Sequence, residues 1–220
     1  MNRIGLLAIA FFSMAAEAQA QPGFGIAYGG YLPLGGSLIR EYGGVNGAIV
    51  AYPVLEKWQG GAMTVAARFD ERLFSRFSIE AKAMYSPGRV STRDSTNDVA
   101  DRPAHMFAYS LRVPIELTAP KSPFVVTFSP GVALQQRGGV AWNGVAGTSN
   151  AAGVLALGFG GLLGRRSKWS SRIEIEDYLS SVSYSYSKWN PTSSLFHQDI
   201  MISVGLDYSF KRPPSYRRQR

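Results

Sequence analysis

Reading back from Phe210, apolar residues hold the even positions Ile200, Ile202, Val204, Leu206 and Tyr208, while Asp199, Met201, Ser203, Gly205, Asp207 and Ser209 hold the odd ones. Period two over this length describes a strand with one apolar and one polar face. The design recurs. Phe107, Tyr109, Leu111, Val113, Ile115 and Leu117 alternate with polar or small residues, as do Phe77, Ile79, Ala81, Ala83 and Tyr85, and Phe124, Val126, Phe128, Pro130, Val132 and Leu134. The pattern predicts eight strands at 23-33, 57-69, 73-86, 105-118, 123-137, 151-164, 171-186 and 197-210.

All of these are longer than the five or so residues of an ordinary globular strand. Charges recur on the polar face of several, which a sandwich core does not tolerate. A membrane barrel turns the apolar faces to lipid and lets polar groups line the lumen. The connections agree: short linkers at 70-74, 119-122 and 165-170 alternate with long polar ones at 86-104, 138-150 and 187-196. Short turns belong to the periplasmic end and long loops to the exterior. The expected fold is therefore all-β, an antiparallel up-and-down transmembrane barrel of eight strands.

Two stretches strain this scheme. Residues 45-55, "VNGAIVAYPVL", also look like a strand. Counting them makes nine strands, where single-chain bacterial barrels have even numbers, so either they belong to a long first exterior loop or they are the true first strand and 23-33 lies outside the wall; the loop is favoured because "GFGIAYGGYLPL" lies where the first strand of such a barrel usually does, directly after the expected leader. Asp177 falls in phase with Ile173, Ile175 and Leu179, which aims it at lipid, and a bulge near Ser180-Ser181 is the expected remedy.

The start of the chain changes the picture of where it works. Arg3, an apolar run from Ile4 to Met14 and the small-residue ending Ala18-Gln19-Ala20 form a secretory signal peptide over 1-20. The run is too short for a spanning helix, which needs about 20 apolar residues. The remaining 200 residues suit one domain, with the barrel over 21-210 and a basic periplasmic tail over 211-220. The chain has no cysteine, so no disulfide or thiolate metal site holds it together. Mean hydropathy is −0.04, too polar for a bundle of membrane helices.

The formal net charge of +8 suggests nucleic acid in isolation. Export and the scattering of the basic residues argue against it, and attraction to anionic outer-membrane lipid or lipopolysaccharide phosphate is the expected consequence. Trp58, Trp142 and Trp189 fall in or beside exterior linkers and Trp169 in a periplasmic turn, so all four are expected in interfacial aromatic girdles.

The last strand carries a further signal. Ser203-Val204-Gly205-Leu206-Asp207-Tyr208-Ser209-Phe210 fits the polar-x-Gly-x-x-aromatic-x-aromatic pattern that ends bacterial outer-membrane proteins. On these residues, the leader and the alternation of strands and turns, the chain resembles the small eight-stranded OmpA-like outer-membrane β-barrels of the Gram-negative envelope, with no peptidoglycan-binding domain after the barrel. The resemblance implies that Ser203, Gly205, Tyr208 and Phe210 present the strand to the barrel-assembly machinery, although ten residues follow the Phe that is usually terminal.

Candidate chemistry lies in the lumen. Arg68, Glu80, Lys82, Arg112, Glu116, Arg172, Glu174 and Glu176 are expected to face inward, four of each sign, and to pair as a plug, with a gated ion path as the other outcome. Glu174 and Glu176 share a face by periodicity alone, a weak sign of acid-base catalysis. His105 and His197 fall at exterior strand ends; some barrels of this class modify lipid A with His and Ser near that rim, and Ser193 and Ser194 precede His197. No motif of such an enzyme accompanies them, so an ordinary rim histidine is the expectation. No catalytic residue, cofactor or metal site is expected. The long loops are the candidate surface for an extracellular ligand.

Overall fold

The computed structural model describes residues 21–34, 39–45, 48–74, 76–94, 98–119, 122, 124–163, 167–183 and 195–210. The leader 1-20, the tail 211-220, Trp189, Ser193 and Ser194 lie outside the described residues, and so does the Trp58 side chain. The strands in chain order are β1 (Gln21–Pro33), β2 (Ile39–Val45), β3 (Ala48–Gln59), β4 (Ala62–Arg72), β5 (Ser78–Asp94), β6 (Val99–Arg112), β7 (Ile115–Glu116), β8 (Phe124–Gly138), β9 (Ser149–Leu162), β10 (Trp169–Val182) and β11 (Leu195–Ser209).

Eight of them close a ring. β1 pairs with β4, and the ladder runs through β5, β6, β8, β9 and β10 to β11, which pairs antiparallel with β1 from Gly23↔Ser209 to Pro33↔Asp199. Closure leaves the ring itself without an open edge, so the backbone hydrogen bonds of the wall are satisfied within it. The eight-stranded antiparallel barrel expected from the alternation is the fold.

Alternation decides which side chain meets what. Ile26, Val65, Leu111, Val132, Leu157, Ile173 and Val204 stand exposed on the outer wall. Many inward positions are small, as at Ala108, Ser110, Ser129, Ala133 and Ala156, and others carry charged or large side chains that fill the lumen. An eight-stranded ring has room inside for side chains only.

Several boundaries differ from the pattern. Residues 45-55 fall in the β2–β3 hairpin, outside the ring, and β3 adds to the far end of β5 through Leu55↔Asp94 to Gln59↔Val90. The favoured placing in the first exterior connection thus holds, but that connection is itself a sheet. The strand expected at 57-69 is broken at Gly60-Gly61, with β4 starting at Ala62. Pro114, which has no N–H for the ladder, separates β6 from the two-residue β7 inside the span expected at 105-118. The 86-104 linker is mostly hairpin, since β5 and β6 stay paired out to Arg93↔Val99.

The bulge expected near Ser180-Ser181 does not form. β10 keeps one register with β11 from Trp169↔Tyr208 to Val182↔Leu195. Asp177 stays on the outer face and is served by the neighbouring strand, where the Gln198 amide donates to its carboxylate at 2.9 Å.

Candidate functional site

The lumen holds most of the buried polar side chains, and it is organised in layers along the barrel axis. In the periplasmic half, β6 contributes Arg112, whose guanidinium donates to Glu80 of β5 and to Glu176 of β10, and reaches Glu174 at 3.1 Å. Lys82 of β5 donates to Glu176 at 2.5 Å and Glu174 at 3.0 Å, and Arg172 of β10 donates to Glu80 at 2.7 Å. Arg68 of β4 donates to Asp207 of β11 at 2.5 Å. These two strands are not neighbours; β1 lies between them, and the residue paired with both is Gly25. A Cβ at Gly25 would lie 2.0 Å from the Asp207 carboxylate and 2.7 Å from Arg68 Nε, so the absent side chain is the gap through which the pair meets.

Seven of the eight expected lumen charges therefore converge: Arg68, Glu80, Lys82, Arg112, Arg172, Glu174 and Glu176. Glu116 does not. Beyond Pro114 it stands at the barrel's rim, where its side chain is 25% exposed and pairs with Arg72 at 2.5 Å. Asp207 takes the fourth acidic place, so four cations still face four carboxylates. Each carboxylate of Glu174 and Glu176 is bound by cations, which accounts for their shared face without catalysis.

Above this network lies an apolar layer that includes Met84, Met106, Ala133, Val154, Tyr178 and Met201. A second polar layer follows, which the sequence reading omitted. Asp199 accepts from the Tyr31 hydroxyl at 2.8 Å, from Arg137 at 2.8 Å and from the Gln135 amide at 3.1 Å. Arg137 also donates to Asn150 at 3.2 Å and to Gln59 at 3.4 Å. Asp199 stood on the polar face of the last strand, so its inward aim was legible; the layer it joins, drawn from four other strands, was not.

His197, expected at the rim, is only 2% exposed and faces the lumen beside this layer, opposite Ser180 of β10. His105 is on the outer wall, edge-on to Phe107 with ring centroids 5.6 Å apart.

The exterior mouth is covered by the β8–β9 connection. Its 3-10 turn Val140–Trp142 is flanked by Gly139, at φ 101°, and by Gly144 and Gly147, at φ 77° and 79°, backbone shapes that glycine adopts without strain. The turn lays Ala141 and Trp142 against Val90, Ala104 and Val182, and Lys57 donates to the Ala141 carbonyl at 2.5 Å. Trp142 is 4% exposed, which corrects its expected place in a girdle: the loop folds inward over the mouth, so the indole packs inside. Trp169, expected in the same girdles, opens β10 on the outer wall, 47% exposed and edge-on to Tyr208 with ring centroids 5.0 Å apart.

In the terminal strand, Tyr208 and Phe210 are in contact on the outer wall with ring centroids 5.6 Å apart, and Ser203 faces inward. A Cβ at Gly205 would come within 2.7 Å of the Ile26 carbonyl oxygen in β1. Close packing across the seam is thus a second reason for glycine at this place in the pattern.

No protein-family model matches the chain, and no curated protein does. Solved structures do. The chain is similar to the outer membrane protein OprG from Pseudomonas aeruginosa, with a TM-score of 0.61 and 13% identity over 88% of this chain and 97% of that one. It is similar to the outer membrane protein AlkL, solved in lipid bilayers, with a TM-score of 0.56 and 15% identity over 88% and 92%. Neisserial surface protein A follows at 0.51 and 6% identity over 87% and 97%. At such identities the likeness is one of fold, and that fold is the small eight-stranded outer-membrane barrel.

Proposed function

We propose that the protein is an integral outer-membrane barrel with a plugged lumen and a structural and surface-interacting role, not an enzyme. One observation carries the reading: the lumen is filled in succession by an ion-pair network, an apolar layer, a second polar layer and the Trp142 turn. Ions have no hydrated route through such a stack, and charges already paired in a narrow lumen hold it shut. Outer-membrane lipid and lipopolysaccharide are the partners of the wall, and the exterior connections are the surface for an extracellular ligand. The alternative role is a small-solute or ion channel. Planar-bilayer recording separates the two: the purified barrel is expected to give almost no steady current, whereas discrete, lasting conductance steps would make it a channel.

The terminal strand is proposed to serve assembly as well as packing. Phe210→Ala should then reduce the folded barrel in the membrane far more than Phe128→Ala, on the same outer wall. Burial alone predicts similar losses for both, on the order of a few kcal/mol at most. The heat-modifiable band in isolated envelopes measures this, and equal yields of the two variants would reduce Phe210 to an ordinary wall residue.

A further inference from the structure

Between the upper polar layer and the turn that covers the mouth lies a histidine whose needs neither of them meets. His197 is buried, yet its Nδ1 makes no hydrogen bond among the described residues. Ser180 Oγ, directly opposite on β10, makes none either, nor does Gln59 Nε2 on β3. The strand register fixes the position of the imidazole. Two residues further along β11, on the same face, is Asp199; two residues beyond Ser180 on β10 is Val182, which packs against Trp142.

Among the described residues, the charged and titratable side chains buried in this half of the lumen are Asp199 on the same strand, Arg137 of β8, Lys57 of β3, Tyr31 of β1 and Tyr178 of β10. Tyr178 donates downward to Glu176 at 3.3 Å. Asp199 is already bound by Tyr31, Arg137 and Gln135. Two cations therefore face one carboxylate while His197 is neutral. A proton on His197 would add a third buried cation with no acid left to meet it, which is unfavourable unless water reaches the ring. The Val140–Trp142 turn stands between that ring and the exterior. Gly139 before it and Gly144 and Gly147 after it hold positive φ, a natural pair of hinges, and the turn is fastened by its packing on Val90, Ala104 and Val182 and by the Lys57 bond to the Ala141 carbonyl.

We propose that the Val140–Trp142 turn is a pH-sensitive lid on the exterior mouth, latched while His197 is neutral and released when His197 takes a proton in a mildly acidic medium. The sign follows from charge: the open form hydrates an imidazolium that the closed form leaves unpaired, so acid favours opening. The movement is confined to the upper lumen, because it rests on the reading of the lumen as plugged by the ion-pair network below. Acrylamide quenching of the fluorescence that Trp142→Phe removes, measured on the full-length protein in detergent micelles, tests the lid. Quenching of that component is expected to rise roughly fivefold between about pH 8 and about pH 5, the range in which histidine changes charge. In folded His197→Gln, which cannot take the proton, the rise should be absent. A flat profile in wild type would overturn the lid and leave the plugged barrel intact. A rise of the same size in folded His197→Gln, or in His197→Asn where the Gln variant gives no compact band, would assign the switch to another group and equally overturn the proposal. A steady bilayer current that appears only in acid and is lost in the same variant would support the lid and overturn the plug beneath it.

Discussion

Arg112→Leu is expected to destabilise the barrel by about 3–5 kcal/mol, because it breaks a buried ion network by removing one partner. Arg112 is fully buried and is the only residue that contacts Glu80, Glu174 and Glu176 together among the described ion pairs. Without it, Glu80 keeps Arg172, and the other two carboxylates depend mainly on Lys82. The network then loses one of its four cations where water cannot reach it. The temperature and urea concentration at which the compact band is lost on cold electrophoresis measure the effect. Arg112→Lys should fall between, since it restores the charge but not the planar fork of donors. The double change R112L/E176L should recover part of the loss, because it leaves fewer uncompensated charges than R112L alone. A wild-type midpoint for R112L would show that the network contributes little to the barrel.

Gly29→Val is expected to prevent closure, and Gly30→Val next to it to be tolerated. Gly29 pairs with Ser203 across the β1–β11 seam that joins the ends of the sheet. A Cβ there would lie 2.1 Å from the Ile202 carbonyl oxygen and 2.7 Å from Ser203 Cα, both backbone atoms that cannot turn aside. At Gly30 a Cβ would meet nothing within 4 Å. Overpacking of this kind costs on the order of 3 kcal/mol, more where backbone must separate, and here the strands that would separate are those that complete the ring. Folded yield in envelopes, compared for the two variants, is the measurement. Assembly of G29V at the wild-type level would mean that the seam is looser than its geometry.

The wall was legible because a strand writes its two faces into the sequence at period two. Phe124, Val132, Leu134 and Ile202 each stand outward as their parity required. The same parity sent Glu80, Lys82, Arg112, Glu174 and Glu176 inward, and the narrow ring did the rest. Trp169 was legible because the turn that carries it is short and lies against its own strands.

Partnership was another matter, since it depends on register and stagger between strands far apart in the chain. Periodicity assigns a face but no height, so it gave Glu116 a place in the lumen network and left out Asp207, until Pro114 and the pairing of Gly25 with both Arg68 and Asp207 reversed the two. The upper layer around Asp199 draws on β1, β3, β8 and β9, and no local pattern joins those positions. Loops carry still less information of this kind. Trp142 has the composition of a girdle residue, and the fold of its glycine-flanked turn over the mouth is what brought it inside. The sequence alone determined the barrel, its wall and the stock of charges, because those follow from one residue's relation to the next. Which charges meet and what closes the mouth were decided by tertiary structure, because only closure of the ring sets distant strands at a common height.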